Sequence, residues 1–200
     1  TFGRTLVIAG SKNYIGAAYL ASQAAIRAGA GLVTLALPKS LQHAVASKAP
    51  ELTYLALSES SPSVLSPESA SAIIEILDNY NSLLIGCGMG QAVETLDFLE
   101  RLLYSGKSLP PTVVDADGLN FLARETTWWK RFKSKAIVTP HPGEMARMAP
   151  GFRTDKPGQR FEDTIKYAKM WNKITVLKGA YTVVAFPNGR GMLSSFANPG

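Results

Sequence analysis

The sequence predicts an α/β fold built on a mostly parallel sheet, and two observations carry that prediction. Short apolar runs alternate with helical patterns along most of the chain, the order that βαβ units impose. Glycine and polar residues then gather just after the apolar runs, where an open parallel sheet keeps its ligand loops.

The first strand is Thr5-Leu6-Val7-Ile8-Ala9, closed by Gly10-Ser11. Gly16 to Ala28 is rich in Ala, Leu and Ile with few charges, a helix with a small-residue face that lies close on a sheet. Leu32 to Ala36 is the second strand, and strand, helix and strand together predict parallel pairing. Leu52 to Leu57 is a third. Ser58 to Ser66 reads as a polar surface loop. Ser66-Pro67-Glu68 opens a helix to about Leu77, with Ser as cap and Pro at the first helical position. Ser82 to Ile85 is a strand ending in Gly86-Cys87-Gly88-Met89-Gly90, followed by a helix with Val93, Leu96, Leu99 and Leu103 along one stripe. Thr112-Val113-Val114 ends in Asp115-Ala116-Asp117, and Ala136-Ile137-Val138 ends in Thr139-Pro140-His141-Pro142-Gly143-Glu144. A helix from about Gly158 to Trp171 leads into Ile174 to Leu177. Tyr181 to Phe186 and Gly191 to Leu193 then read as antiparallel additions to the sheet.

Two hundred residues suit one domain, and the hydrophobic share of 46% buries a core without disulfides. The single cysteine, Cys87, reads as a small buried hydrophobe. No apolar run reaches the roughly 18–20 residues of a membrane helix. No charged-then-apolar leader precedes Thr5, so the cytoplasm is the expected compartment. A net charge of +6 permits nucleic-acid binding without arguing for it, because the basic residues are scattered. The densest group, Trp128 to Lys135, is equally an amphipathic end or a basic site for an anionic nucleotide.

Several strand-end residues are chemically suggestive. Gly86-Cys87-Gly88-Met89-Gly90 lacks the spacing of a dinucleotide fingerprint, and its glycines fit close backbone approach to a ligand. Asp117 reads as a helix cap, which leaves Asp115 as the carboxylate for a metal- or phosphate-side role. His141 is held between two prolines, which suits it to touch a ligand. Glu144 opens a helix, where it favours the dipole or orients a metal-bound water. His43 reads as surface, and two distant histidines with one cysteine give no zinc spacing.

In order along the chain, these segments resemble the ADP/ATP-dependent NAD(P)H-hydrate dehydratases, the carbohydrate-kinase-like branch of the ribokinase fold. The matching runs are Leu6 to Ser11, Tyr14 to Ala18, Arg27 to Val33, Ile85 to Gly90, Val114 to Asn120, Thr139 to Glu144, Val176 to Thr182 and Asn198-Pro199-Gly200. The resemblance implies a three-layer ribokinase-like domain with helices on both faces of a mostly parallel sheet. It implies phosphorylation of the hydroxyl on hydrated NADH or NADPH by ADP or ATP with Mg²⁺, followed by loss of phosphate. Hydroxide leaves badly and phosphate leaves well, which gives the kinase-like step its purpose. Ala17, Gly88 and His141 match positions that contact the hydrated dinucleotide. Lys178, Gly179, Ala180, Tyr181 and Thr182 match the segment that holds the adenine nucleotide. Glu144 matches an acidic position near Mg²⁺ and phosphate. Cys87 stands where the family places a proline.

The family continues past the Asn-Pro-Gly run into a G-x-G-D loop, whose Asp activates the acceptor hydroxyl. That Asp is expected beyond Gly200, so no catalytic residue is assigned within the chain. The single domain is expected to be incomplete at its C-terminus, inactive alone, and to expose core surface. Nucleotides are the expected partners, with neither nucleic acid nor membrane, in a homo-oligomer. A small-molecule kinase of the same fold and a non-catalytic nucleotide-binding module are the rival readings.

Overall fold

The computed structural model describes residues 2–152 and 157–197. The chain runs β1 (Arg4–Ile8), α1 (Ile15–Arg27), β2 (Leu32–Pro38), α2 (Gln42–Ala46), β3 (Thr53–Leu57), β4 (Glu59–Ser61), β5 (Val64–Leu65), α3 (Ser69–Ile76), β6 (Ser82–Ile85) and α4 (Val93–Leu103). It continues through β7 (Thr112–Val114), α5 (Asp117–Leu122), β8 (Ala136–Val138), α6 (Pro142–Met148), α7 (Pro157–Trp171), β9 (Ile174–Leu177), β10 (Val183–Ala185) and β11 (Gly191–Leu193).

The main sheet has the order β11-β10-β9-β8-β7-β6-β1-β2-β3. From β9 to β3 every pairing is parallel, while β10 and β11 add an antiparallel ribbon at one edge. The chain starts mid-sheet at β1, winds outward to β3, then returns to β6 on the other side of β1 and winds outward again to β9. The winding direction therefore reverses between β1 and β6, and a reversal of this kind opens a crevice above the strand ends.

Side chains alternate across the sheet. One face carries Leu6, Ile8, Leu83, Ile85, Val114, Val138, Leu177 and Val183 into the larger core, which α3, α4, α5, α6 and α7 cover. Val7, Ala9, Val33, Leu35 and Leu37 point the other way and meet α1 and α2 through Ala18 and Val45. Each fully buried aliphatic side chain contributes roughly 1.5–3 kcal/mol, so both layers are held chiefly by apolar burial. The three-layer architecture expected from the sequence is present.

Layering on the second face stops at β7. Val113, Ile137, Ile174, Val176 and Val184 stand there only half-buried, and none of the five is among the core residues gathered under α1 and α2. A groove of about 680 Å³ runs along it, lined by Pro111, Val113, Ile137, Ile174 and Phe186 among others. Its lining includes the first residues of β6, β7, β8 and β9, so it lies away from the strand-end loops. Among the described residues no helix is long and apolar enough to cross a membrane.

Some expectations need correcting. Helix α3 begins at Ser69, not directly after a Ser66 cap; Ser66 Oγ instead accepts the Glu68 amide at 3.3 Å in a turn that precedes the helix. The expected loop from Ser58 to Ser66 contains the β4–β5 ribbon, which turns on Ser63 at φ 65° and sends Leu65 into the core. Val93 is 69% exposed; the buried stripe of α4 is Thr95, Phe98, Leu99, Leu102 and Leu103. Strand β10 starts at Val183, because Tyr181 has φ 57° and cannot continue an extended run.

Candidate functional site

The crevice between β1 and β6 is built by close backbone approach. Gly10 N–H donates to Cys87 O at 2.9 Å, and Gly86 N–H donates to Ile8 O at 3.3 Å. A Cβ on Gly88 would lie 2.6 Å from Tyr14 Cβ and 2.8 Å from Ala17 Cβ. Gly88 and Ala17 therefore form one wall, and only glycine leaves it open at φ 64°. Gly86 meets the Asp115 carbonyl and the Gly118 backbone so closely that no side chain fits between them.

Asp117 does not cap α5, contrary to its sequence reading. Ala116 occupies the cap position, and Asp117 is the first helical residue. Its carboxylate reaches back to accept Gly90 N–H at 2.8 Å and Asn120 Nδ2–H at 3.3 Å. This fastens the Gly88 loop to α5. Ala116 between the two aspartates has φ 49°, a left-handed conformation that costs a non-glycine residue about 1–3 kcal/mol. Asp115 and Asp117, on either side of it, reach different neighbours.

Asp115 Oδ1 lies 2.7 Å from Lys178 Nζ. Glu144 Oε2 lies 3.9 Å from the same ammonium. Glu144 is 5% exposed, and its Oε2 accepts His141 N–H at 2.7 Å. His141 in turn caps α6: its Nδ1 accepts the amides of Gly143 at 3.0 Å and Glu144 at 3.3 Å. This reciprocal capping box follows from a Pro-Gly pair opening a helix with Glu at its third position. With Nδ1 accepting, the ring proton belongs on Nε2, which stands 3.5 Å from Glu144 Oε1. The ends of β8 and β9 are joined through Lys178 N–H, which donates to Pro140 O at 2.8 Å.

Lys178 to Thr182 form the hairpin loop between β9 and β10. Gly179 has φ 124° and Tyr181 has φ 57°. Tyr181 N–H donates to Phe196 O at 3.2 Å, and Thr182 Oγ1–H donates to Gly179 O at 3.0 Å. Beneath the loop, Arg160 of α7 donates to Lys178 O at 2.8 Å and to Ala180 O at 3.1 Å. Arg160 carried no signal in the sequence beyond its helical position.

The predicted residues therefore fall in two linked groups. Ala17 and Gly88 sit at the crevice, while His141, Glu144 and Lys178 with its loop sit at the ends of β8 and β9, and Asp115-Ala116-Asp117 joins the two. Asn198-Pro199-Gly200 lie outside the described residues. Among the described residues no three His, Cys, Asp or Glu side chains gather as a metal cage. Mg²⁺ commonly takes one or two carboxylates and keeps water and phosphate oxygens, so Glu144 and Asp115 fit a nucleotide-borne ion.

Cys87 packs partly buried beside the second core. Burial first, and then the Asp115 carboxylate, push its thiol up to about 11, so it is a poor nucleophile at neutral pH. The Trp128 to Lys135 group is largely structural: Trp128 and Phe132 are buried, and Arg131 pairs with Glu100 at 3.0 Å and also with Glu125. His43 is exposed.

The family model described as NAD(P)H-hydrate dehydratase matches residues 5–200. The bifunctional NAD(P)H-hydrate repair enzyme of Moorella thermoacetica is 38% identical over 199 residues, covering 100% of this chain and 37% of that protein. The ADP/ATP-dependent NAD(P)H-hydrate dehydratase of Bacillus subtilis, crystallised with ATP and Mg²⁺ and soaked with CoA, superposes with a TM-score of 0.76 at 28% identity, covering 96% of this chain and 65% of that one. A ribokinase-like superfamily protein of Enterococcus faecalis superposes with a TM-score of 0.77 at 20% identity over 99% of this chain and 64% of that one, a likeness of fold alone. The chain thus spans just over a third of the curated relative and about two thirds of the solved ones. A match over residues 5–200, with the fold and the ordered strand-end loops, shows that this chain belongs to the NAD(P)H-hydrate dehydratase family.

Proposed function

We propose that the protein of which this chain forms part dehydrates hydrated NADH or NADPH at the expense of ADP or ATP, restoring NAD(P)H and releasing phosphate. The observation that carries the reading is the meeting of Lys178, Asp115 and Glu144, from three successive strand ends, beside His141. A single cation flanked by two carboxylates suits a place where phosphate oxygens and Mg²⁺ are handed over. Bound Mg²⁺ would neutralise phosphate charge there, with Glu144 and Asp115 as the nearest carboxylates.

On this reading the Ala17–Gly88 wall and His141 take the hydrated dinucleotide, and Lys178 through Thr182 take the adenine nucleotide. His141 Nε2–H is a donor that the helix cap holds in place. The protein works in the cytoplasm as a homo-oligomer, with small nucleotides rather than nucleic acid as partners.

The test is to incubate the full-length protein with ADP or ATP, Mg²⁺ and hydrated NADH and to follow the return of NADH absorbance. Return of absorbance that requires the nucleotide is expected. Phosphorylation of a sugar or vitamin precursor with no return of absorbance would overturn the reading in favour of a kinase.

A further inference from the structure

Arg160 is unusual for what it binds. Its guanidinium fork donates one N–H to Lys178 O at 2.8 Å and another to Ala180 O at 3.1 Å. Both acceptors are neutral carbonyls. Its Nε is buried with no partner among the described residues. Burial lowers the guanidinium's pKa, so the site carries an electrostatic cost. An orphaned buried donor costs about 1–3 kcal/mol. A residue needed only to fill space beneath a hairpin would avoid both costs.

The geometry of the loop explains what the cost maintains. Arg160 Nη2 packs directly under Gly179, where a Cβ would lie 3.1 Å away. A trans peptide points its C=O and N–H opposite ways, so holding Lys178 O downward turns the Gly179 N–H the other way, and holding Ala180 O does the same for the Tyr181 N–H. Lys178 N–H is taken by Pro140 O and Tyr181 N–H by Phe196 O. The amides of Gly179 and Ala180 have no acceptor among the backbone bonds of the described residues. The Gly179 N–H, turned away from Arg160, stands beside Lys178 and suits an anion. Carbonyl dipoles do not cancel the Arg160 charge, so it adds to the field of the loop. On the helix, Thr164 Oγ1–H donates to Arg160 O at 2.7 Å.

We propose that Arg160 is a positioning residue for the nucleotide, clamping the Lys178 and Ala180 carbonyls so that the Gly179 amide and an uncancelled positive charge face its phosphates. This rests on the proposed role of the Lys178 loop and adds to it a residue outside every motif in the sequence. Lysine cannot take its place, because one ammonium does not reproduce two parallel N–H donors held in a plane.

The experiment uses the full-length protein and the variants Arg160→Lys and Arg160→Met. ADP and ATP binding is measured by calorimetry, steady-state kinetics give separate KM values for nucleotide and hydrate, and thermal unfolding is followed in parallel. Losing one or two charge-assisted bonds raises the nucleotide Kd and KM roughly ten- to a hundredfold in both variants. The hydrate KM and the kcat at saturating nucleotide stay within about threefold. Arg160→Lys keeps its charge and its fold, so its weakened nucleotide binding marks the fork itself. In a third variant, Arg160→Ala, added methylguanidinium restores nucleotide binding. The inference is overturned if Arg160→Lys binds nucleotide as the unmodified protein does. It is also overturned if both KM values and kcat deteriorate together with the unfolding temperature, which is a structural role only. If the unmodified protein fails to dehydrate the hydrate, the dehydratase reading falls, and the calorimetric comparison still decides the role of Arg160.

Discussion

Lys178 Nζ lies 2.7 Å from Asp115 Oδ1 although β8 stands between their strands. The lysine crosses the end of β8 and passes Glu144 on the way. Among the described residues it is the cation shared by these two carboxylates. Lys178→Met should weaken ADP binding to the full-length protein by about 10- to 100-fold, the loss of a hydrogen bond to a charged group. Asp115→Asn should do less. The double variant should lose less than the sum, because removing Asp115 relieves the repulsion that Lys178→Met creates. Calorimetry on the four proteins measures that coupling, and strict additivity would refute it.

His141 caps α6 and is proposed to touch the hydrate, and substitution can separate the two tasks. Its Nδ1 caps α6, so His141→Ala should cost about 1 kcal/mol of stability. His141→Asn offers an amide oxygen to the same amides and should recover most of that stability. Neither variant keeps the Nε2–H donor, so both should remain deficient in turnover. Chemical denaturation alongside the hydrate assay distinguishes them; recovery of activity in the Asn variant would assign the histidine to the cap alone.

Gly86→Ala should be among the most damaging single changes in the crevice. The added methyl meets the Asp115 carbonyl and lies 2.7 Å from Gly118 N, at a φ of 116°. A backbone clash combined with a disfavoured dihedral should cost about 2–4 kcal/mol, read as a drop in unfolding temperature. Gly16→Ala is the control, since nothing lies within 4 Å of its Cβ position.

The parallel sheet was legible because βαβ order and strand-end glycines are local patterns. The strand-end loops could be named from the sequence for the same reason. What escaped it depends on strand order. No spacing rule announces that Lys178 meets Asp115, 63 residues away, across an intervening strand. Asp117 reads locally as a cap because cap residues precede helices, yet tertiary structure gives its carboxylate to Gly90. Arg160 sits in an ordinary amphipathic helix, and only the fold of a hairpin 18 to 20 residues later shows its purpose. The β4–β5 ribbon is polar apart from Val64 and Leu65, too few apolar residues to stand out.

Lys173 is 3% exposed beside the Phe132 ring, and burial lowers its pKa. A lysine depressed in the folded state destabilises the fold wherever it must be charged. The penalty is full below the folded pKa and fades as pH rises toward the ordinary lysine value of about 10.4. Lys173→Met should therefore stabilise by about 1 kcal/mol at neutral pH, with the gain shrinking in alkali. Denaturant titrations at neutral and alkaline pH check the trend; a gain that grows with pH would contradict it.

Cys87 should resist alkylation. With its thiol pushed up to about 11, only roughly a thousandth is thiolate at pH 8. Iodoacetamide labelling in native buffer should be far slower than in denaturant and should accelerate about tenfold per pH unit through the mildly alkaline range. Fast labelling at pH 7 would show that the thiol is neither buried nor beside a carboxylate.

The strand order also measures the site. From β1 through β6, β7 and β8 to β9 there are four inter-strand gaps. At about 4.8 Å each they span about 19 Å. The proposed ligand groups are thus set out along a slot, one strand end after another, with the glycine wall near one end and the Lys178 hairpin at the other. Two ligands entering from opposite ends would be held in single file, and their reacting ends would meet over β7 and β8. Chemistry in such a slot is governed by length: a ligand one strand spacing too short at either end is bound and never met.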